Sequence, residues 1–142
     1  MKALLLMAIS QWGVKGTTGV IHNPEVMKYF KETGHSWVKD DETAWCAAFL
    51  NWCLIKCGLQ QTGSLAARSF LNYGVATTKP QLGDIVVLWR ISPSSPYGHV
   101  GLYIAETKDG IFVLGGNQTN AVNCRIFPKN QVLGYRKVPG QY

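Results

Sequence analysis

Hydrophobic positions in the first half of the chain follow the spacing of helices. Start and stop signals predict helices over residues 3–13, 24–33 and 43–57, and a shorter one over 64–72. The third segment is apolar on nearly every face and is followed by Gly58, the residue type that most often ends a helix. We therefore expect residues 43–57 to form a buried central helix.

From Pro80 onward, the pattern changes to that of β-strands. Runs of β-branched and aromatic residues predict strands over 84–90, 99–106, 111–115, 121–127 and 133–138. Lys108-Asp109-Gly110 is a hairpin turn signal between the second and third of these. Helices followed by an antiparallel meander predict an α+β fold, in which the central helix packs on a sheet of four to six strands. With 142 residues, a single domain over 1–142 is expected.

The composition is that of a globular protein with a basic surface. Hydrophobic residues make up 46% of the chain and charged residues 15%, which excludes a disordered tail. A net charge of +6 attracts anionic partners such as nucleic acid, membrane or cell wall. The basic residues are scattered and no nucleic-acid motif is present, so we expect no nucleic-acid partner. Nothing in the sequence requires more than a monomer.

The N-terminal apolar stretch raises the question of a targeting signal. Met1-Lys2 and the apolar residues 3–9 are too short for the usual signal peptide, and the first helix accounts for them better. No other apolar stretch approaches the roughly 20 residues that span a bilayer. We expect a soluble protein without stable membrane insertion. It would be made in the cytoplasm without its own signal and act in the periplasm or at the cell wall.

Of the four cysteines, one has a position that suggests chemistry. Cys53, Cys57 and Cys124 lack the partners of a metal site and are expected to be small buried hydrophobes. Cys46 falls in the first turn of the central helix, after the polar residues 40–43, which are suited to cap it. A helix N-terminus favours a thiolate and can hold an oxyanion. On position alone, a plain buried cysteine is an equally good interpretation.

A histidine and an amide complete a candidate triad. His99 opens a predicted strand between two glycines, whereas His22 and His35 lie in loops and are expected to be solvated. A histidine at a sheet edge can face a helix N-terminus, as a Cys–His pair requires. Antiparallel pairing brings the end of the next strand beside His99, so Asn117 or Gln118 can reach its Nδ1. We place Asn117 ahead of Gln118; a plain turn after two glycines is the competing interpretation.

These motifs together resemble a known family. Their order and spacing are similar to those of papain-like cell-wall hydrolases, the NlpC-type peptidases and the CHAP (cysteine, histidine-dependent amidohydrolase/peptidase) domains. The closest likeness is to a phage- and prophage-associated branch. The motifs are Trp45-Cys46-Ala47-Ala48-Phe49, Pro80-Gln81-Leu82-Gly83-Asp84-Ile85-Val86, Gly98-His99-Val100-Gly101 and Leu114-Gly115-Gly116-Asn117-Gln118. The similarity runs from near Ile9 to Arg136.

The resemblance implies a peptidoglycan amidase or endopeptidase that cleaves an acyl bond of the stem peptide without a cofactor. By the family pattern, Cys46 attacks, His99 takes and returns a proton, and Asn117 holds the imidazole. Asp84 matches the family's Gly-Asp turn, a structural feature. Calcium-binding CHAP domains carry a spaced acidic series before the cysteine; here residues 40–42 are contiguous, so no metal is expected.

The sequence also allows a rival function and offers candidate aromatics for a binding cleft. The rival function is a non-catalytic wall- or polyanion-binding module on the same fold, which the joint presence of Cys46, His99 and Asn117 disfavours. Candidate cleft-lining aromatics are Trp45, Trp89 and Tyr97, although residues of this kind more often belong to the core than to a binding surface.

Overall fold

The structure is a computed structural model that describes residues 2–17, 22–39 and 44–140. Its helices are α1 (Ala3–Ile9), α2 (Pro24–Glu32) and α3 (Cys46–Lys56), with 3₁₀ turns at Ala67–Asn72 and Lys129–Gln131. Its strands are β1 (Val75–Thr77), β2 (Ile85–Trp89), β3 (Gly98–Thr107), β4 (Gly110–Gly115), β5 (Asn123–Phe127) and β6 (Val132–Lys137).

In the part of the chain that is described, the strands form one six-stranded antiparallel sheet in the order β1-β6-β2-β3-β4-β5. The predicted α+β class is confirmed. The short strand β1 was not predicted, because Val75–Thr77 has only three residues and none of them is buried. The segment predicted as a helix over 64–72 is a 3₁₀ turn limited to Ala67–Asn72.

Helix α3 is the buried centre of the molecule, as its composition predicts. Nine of its eleven residues are buried, from Cys46 to Leu54. It packs on α1, α2 and strands β3 and β4, so the sheet covers one side and the other helices cover the rest. Burying both faces of a helix requires apolar residues all round, and only Lys56 in its last turn is charged. This packing fixes the N-terminus of α3 against the start of β3.

Asp84 links the beginning, middle and end of the chain. Its side chain is fully buried and forms ion pairs with Lys2 (3.1 Å) and Lys137 (3.0 Å). It also accepts a hydrogen bond of 2.8 Å from the backbone N–H of Gln81. These contacts hold the residue before β2 against the N-terminus and β6, which is a structural role.

All four cysteines are free thiols; Cys53 is buried, whereas Cys57 and Cys124 are only half-buried, so the expectation of burial is correct for one of these three. None of the helices in the described ranges combines the length and the apolar character needed to span a bilayer.

Candidate active site

Cys46 is the first residue of α3, and its side chain is 5% exposed. The backbone N–H groups of Ala47 and Val100 lie near its sulfur and lower the pKa of the thiol. The residue that caps the helix is Trp45, whose side chain makes no capping hydrogen bond. The polar residues 40–43, predicted to cap α3, lie outside the described residues. The sulfur therefore lies where a helix start and a strand start both direct N–H groups at it.

The imidazole of His99 lies beside the Cys46 thiol, close enough for each group to shift the pKa of the other. His99 is the second residue of β3 and is 7% exposed. Its Nε2 lies 2.9 Å from Oε1 of Gln118, which leaves Nδ1 for the thiol. The ring of Phe127 stacks on the imidazole, with 5.3 Å between the centroids. The ring is thus held from three directions.

The orientation of the Gln118 amide determines which imidazole nitrogen carries the proton. Its NH₂ group donates to the backbone oxygens of Val113 (3.0 Å) and Asn123 (2.8 Å) and lies 3.1 Å from Oδ1 of Asn123. Because the nitrogen is committed to these acceptors, the oxygen faces His99 and accepts from Nε2–H. In the neutral ring Nδ1 is then unprotonated and can act as a base toward the thiol.

The structure corrects the order of the two candidate amides. Gln118, not Asn117, forms the hydrogen bond with His99, and it does so at Nε2 rather than at the expected Nδ1. Asn117 adopts a left-handed φ of 58° and lines a cavity beside the ring. The chain bends there, and the longer Gln118 side chain lies in the interior, where it is 3% exposed. Pairing of β3 with β4 brings this segment to His99, as the sequence predicted.

The electrostatics favour an ion pair between Cys46 and His99. Burial raises the pKa of the Cys46 thiol, but the hydrogen bond and charge of His99 and two backbone N–H groups outweigh burial and lower it. Burial lowers the pKa of His99, but the bonds to Cys46 and Gln118 outweigh that effect and raise it. A lowered thiol pKa and a raised imidazole pKa both populate the thiolate–imidazolium form.

The other three thiols behave differently. Burial raises the pKa of Cys53, Cys57 and Cys124, so each favours its neutral form. Only Cys46 has the environment of a nucleophile.

The remaining candidate residues have varied positions. Trp45 is fully buried and donates to Asn120 (3.2 Å), whereas Trp89 lines the cavity beside His99 and Tyr97 is 60% exposed. His22 and His35 are both half-buried, contrary to the expectation that they are solvated. No group of three or more potential metal ligands occurs within the described ranges, and the acidic residues 40–42 lie outside them.

Two residues of the site escaped the sequence analysis. Asn123 orients Gln118, and Phe127 stacks on His99; both belong to β5. The available signal was the two-residue alternation of a strand, which places residues 123, 125 and 127 on one face. That periodicity gives no reason to assign this face to the site until the pairing of β5 with β4 is known.

The chain was compared with models of known protein families and with curated proteins. A family model described as "CHAP domain" matches residues 38–117, more than half of the chain. The match includes Cys46, His99 and Asn117 and ends one residue before Gln118. No curated protein matches the chain.

Proposed function

Because the chain belongs to the CHAP domain family, we propose that it is a cysteine peptidase or amidase with Cys46 as nucleophile and His99 as its base. CHAP domains are papain-like peptidoglycan hydrolase domains, so the substrate class is bacterial peptidoglycan. The observation that carries the proposed mechanism is the proximity of the His99 imidazole, held by Gln118, to the Cys46 thiol at the start of α3.

The proposed reaction proceeds through a thioester. The Cys46 thiolate attacks the carbonyl carbon of an amide in the stem peptide, and a C–S bond forms as the C–N bond breaks. The imidazolium of His99 gives its proton to the leaving amine. A water molecule, deprotonated by His99, then hydrolyses the thioester and releases a carboxylic acid and the thiol. Unpaired N–H groups in the first turn of α3 stabilise the oxyanion of both steps.

In this proposal Gln118 is a positioning residue. It does not touch the reacting atoms; its oxygen holds Nε2–H of His99 and thereby keeps Nδ1 directed at the sulfur. This is the role that the sequence resemblance gave to Asn117. The association with phages, the single-domain extent, the monomeric state and the site of action stay predictions.

The decisive experiment compares two cysteines of one helix. Cys46→Ala should reduce the release of soluble fragments from purified peptidoglycan by at least about 1000-fold, since it removes the attacking atom. Cys57→Ala, at the other end of α3, should cleave as the parent does. Mass spectrometry of the released muropeptides identifies the bond, and a free carboxylate on the product distinguishes hydrolysis from transfer to an amine.

Two results would contradict the proposal. Cleavage by Cys46→Ala at the parent rate would exclude this thiol as the nucleophile. Tight binding of peptidoglycan by a parent protein that releases no fragments would instead support the wall- or polyanion-binding module.

A further inference from the structure

A cavity of about 470 Å³ adjoins His99 but not Cys46. It is lined by the end of β2, by β5 and by the loop 117–120. Its walls are held in place: Trp89 Nε1 donates to the backbone oxygen of Asn130 (3.0 Å), and Gln131 donates to the oxygen of Trp89 (3.2 Å). The cavity is therefore a formed feature of the fold beside the imidazole.

Two exposed arginines on the cavity wall have no side-chain partner among the described residues. The chain has four arginines, and the guanidinium groups of Arg68 and Arg136 donate to backbone oxygens of residues 92–97 and 73–74. Arg90 and Arg125 line the cavity, and neither side chain has a hydrogen bond or ion pair with any residue described. Among the described residues, no aspartate or glutamate lines the cavity. The described lining therefore carries a net positive charge.

This arrangement has an electrostatic cost that an anion would remove. The positive charge of Arg90 opposes the protonated form of His99 and lowers its pKa, although burial is the larger cause in that direction. A carboxylate between the guanidinium groups and the imidazolium would offset this repulsion. Guanidinium groups bind carboxylates through paired N–H donors, which favours this anion over a diffuse negative surface.

The position of the cavity assigns it to one half of the substrate. In acyl transfer to Cys46, the acyl half stays on the sulfur, while the amine half receives the proton of His99. A cavity that adjoins His99 but not Cys46 is therefore better placed for the amine half than for the acyl half.

We propose that the cavity is a leaving-group subsite, in which Arg90 and Arg125 bind a carboxylate carried by the amine half of the substrate. This inference rests on the proposed hydrolase function and narrows it. The scissile amide then lies on the acyl side of a residue or short peptide with a free carboxylate. Substrates in which that carboxylate is amidated are poor.

The kinetic test uses soluble muropeptides released by a muramidase, and the same muropeptides after conversion of their carboxylates to primary amides. Arg90→Gln and Arg125→Gln should each raise KM for the free-acid muropeptides by about 10- to 100-fold and leave KM for the amidated ones unchanged. Lys108→Gln removes an equal charge from the exposed β3–β4 turn and should change neither.

A binding test isolates the amine half and needs no turnover. L-alanyl-D-glutamate has a free amine and free carboxylates, and its diamide is the matched probe that keeps the amine and lacks the carboxylates. Titrated into the non-cleaving Cys46→Ala variant, the acid should shift the imidazole NMR signals of His99, and the diamide should not. Adding Arg90→Gln to that variant should weaken binding of the acid by about 10-fold or more.

The outcomes separate this proposal from the proposed function. A parent enzyme that cleaves both forms of muropeptide with equal KM would overturn the subsite and leave the hydrolase intact. Discrimination between the muropeptides without binding of the dipeptide would place the carboxylate on the acyl half and overturn the leaving-group assignment. A parent that binds the dipeptide through Arg90 but cleaves nothing would overturn the hydrolase alone.

Discussion

At the scale of single residues, the site depends on an amide that never touches the substrate. Gln118 accepts from Nε2–H of His99, and its own NH₂ group is bound by the backbone of Val113 and by Asn123. An asparagine at this point would be one methylene shorter. The network therefore fixes both the direction of the imidazole and the proton on it.

Loss of this amide has a predicted pH signature. Burial lowers the pKa of His99, but Cys46 and Gln118 raise it to a net higher value. Because the reactive pair needs a protonated imidazole, activity falls as the pH rises through that pKa. Gln118→Ala removes one raising contribution, so the alkaline limb of kcat/KM should move to lower pH. The rate at the optimum should fall by on the order of 100-fold through misplacement of the ring.

Asn117→Ala is the matched control for this pH profile. The Asn117 side chain makes no hydrogen bond with His99, so its removal should leave the alkaline limb in place. A shift of the alkaline limb in Asn117→Ala and none in Gln118→Ala would indicate that Asn117 positions His99, as the sequence suggested.

The sequence identified the two reacting residues but not the amide that positions the imidazole. Cys46 and His99 were identified because a helix start and a glycine-flanked strand start are local patterns. The choice between Asn117 and Gln118 depends on the left-handed φ of 58° at Asn117, where the chain bends. Neighbouring amides in a turn offer no periodicity from which that backbone angle follows. Local patterns therefore identified Cys46 and His99 but not the amide that orients the imidazole.

At the scale of elements, the β4–β5 connection forms the support of the site. Gln118 and Ala121 exchange backbone hydrogen bonds of 2.9 and 3.2 Å around a two-residue loop. Thr119 and Asn120 have φ values of 49° and 58°, as a type I′ turn requires at both positions. Asn tolerates this conformation, whereas a β-branched Thr is strained in it. The turn determines where Gln118 lies relative to β4.

Close packing at the end of β4 predicts a glycine-specific effect. A Cβ atom on Gly115 would lie 2.8 Å from Oε1 of Gln118, the atom that holds His99. Gly115→Ala should therefore displace the amide, destabilise the fold by about 1–3 kcal/mol, and reproduce the alkaline shift of Gln118→Ala. Urea denaturation and the pH dependence of kcat/KM measure the two effects.

Gly134→Ala in β6 provides the control for a strand glycine. A Cβ atom there would meet only Leu71 Cδ2 at 3.5 Å, an ordinary contact. Stability and pH profile should match those of the parent. If Gly115→Ala also matches the parent in stability and pH profile, the end of β4 can accommodate a Cβ atom. Close packing at Gly115 then does not hold the Gln118 amide in place.

Element prediction from the sequence succeeded where composition is extreme. The wholly apolar α3 and the β-branched runs of β2, β3 and β4 were identified with ends that differ by at most three residues. Strand β1 was missed because exposed, three-residue strands are stabilised by their partner rather than by their own pattern.

At the scale of the whole molecule, the sheet contains one contact that no local pattern predicts. Strand β6 pairs with β2 and β1, not with its neighbour in sequence β5. The pairing places β6 inside the sheet, between β1 at the edge and β2. Asp84, which precedes β2, bonds there to Lys137 of β6 and to Lys2 near the N-terminus. The motif Gly-Asp was visible in the sequence, but its partners lie 82 and 53 residues away.

This buried carboxylate should make the stability of the fold depend on acid. Burial raises the pKa of Asp84, but the N–H of Gln81 and the two lysines outweigh it and hold the pKa below its ordinary value of 3.8. A lowered pKa in the folded state stabilises the fold above the unfolded pKa, and this contribution is lost as the pH falls through the folded one. Asp84→Asn should reduce the free energy of unfolding at pH 7 by about 1–3 kcal/mol.

The difference in the free energy of unfolding between the parent and Asp84→Asn should therefore shrink as the pH falls below about 4. The carboxyl of the parent then becomes neutral as well. Urea denaturation at a series of pH values measures it. Asp109→Asn removes an exposed carboxylate that pairs with no described residue, so it should cost less than about 0.5 kcal/mol at any pH. If the loss of unfolding free energy in Asp84→Asn stayed constant down to pH 2, the charge of the carboxylate would not be what stabilises the contacts of the two chain ends with Asp84.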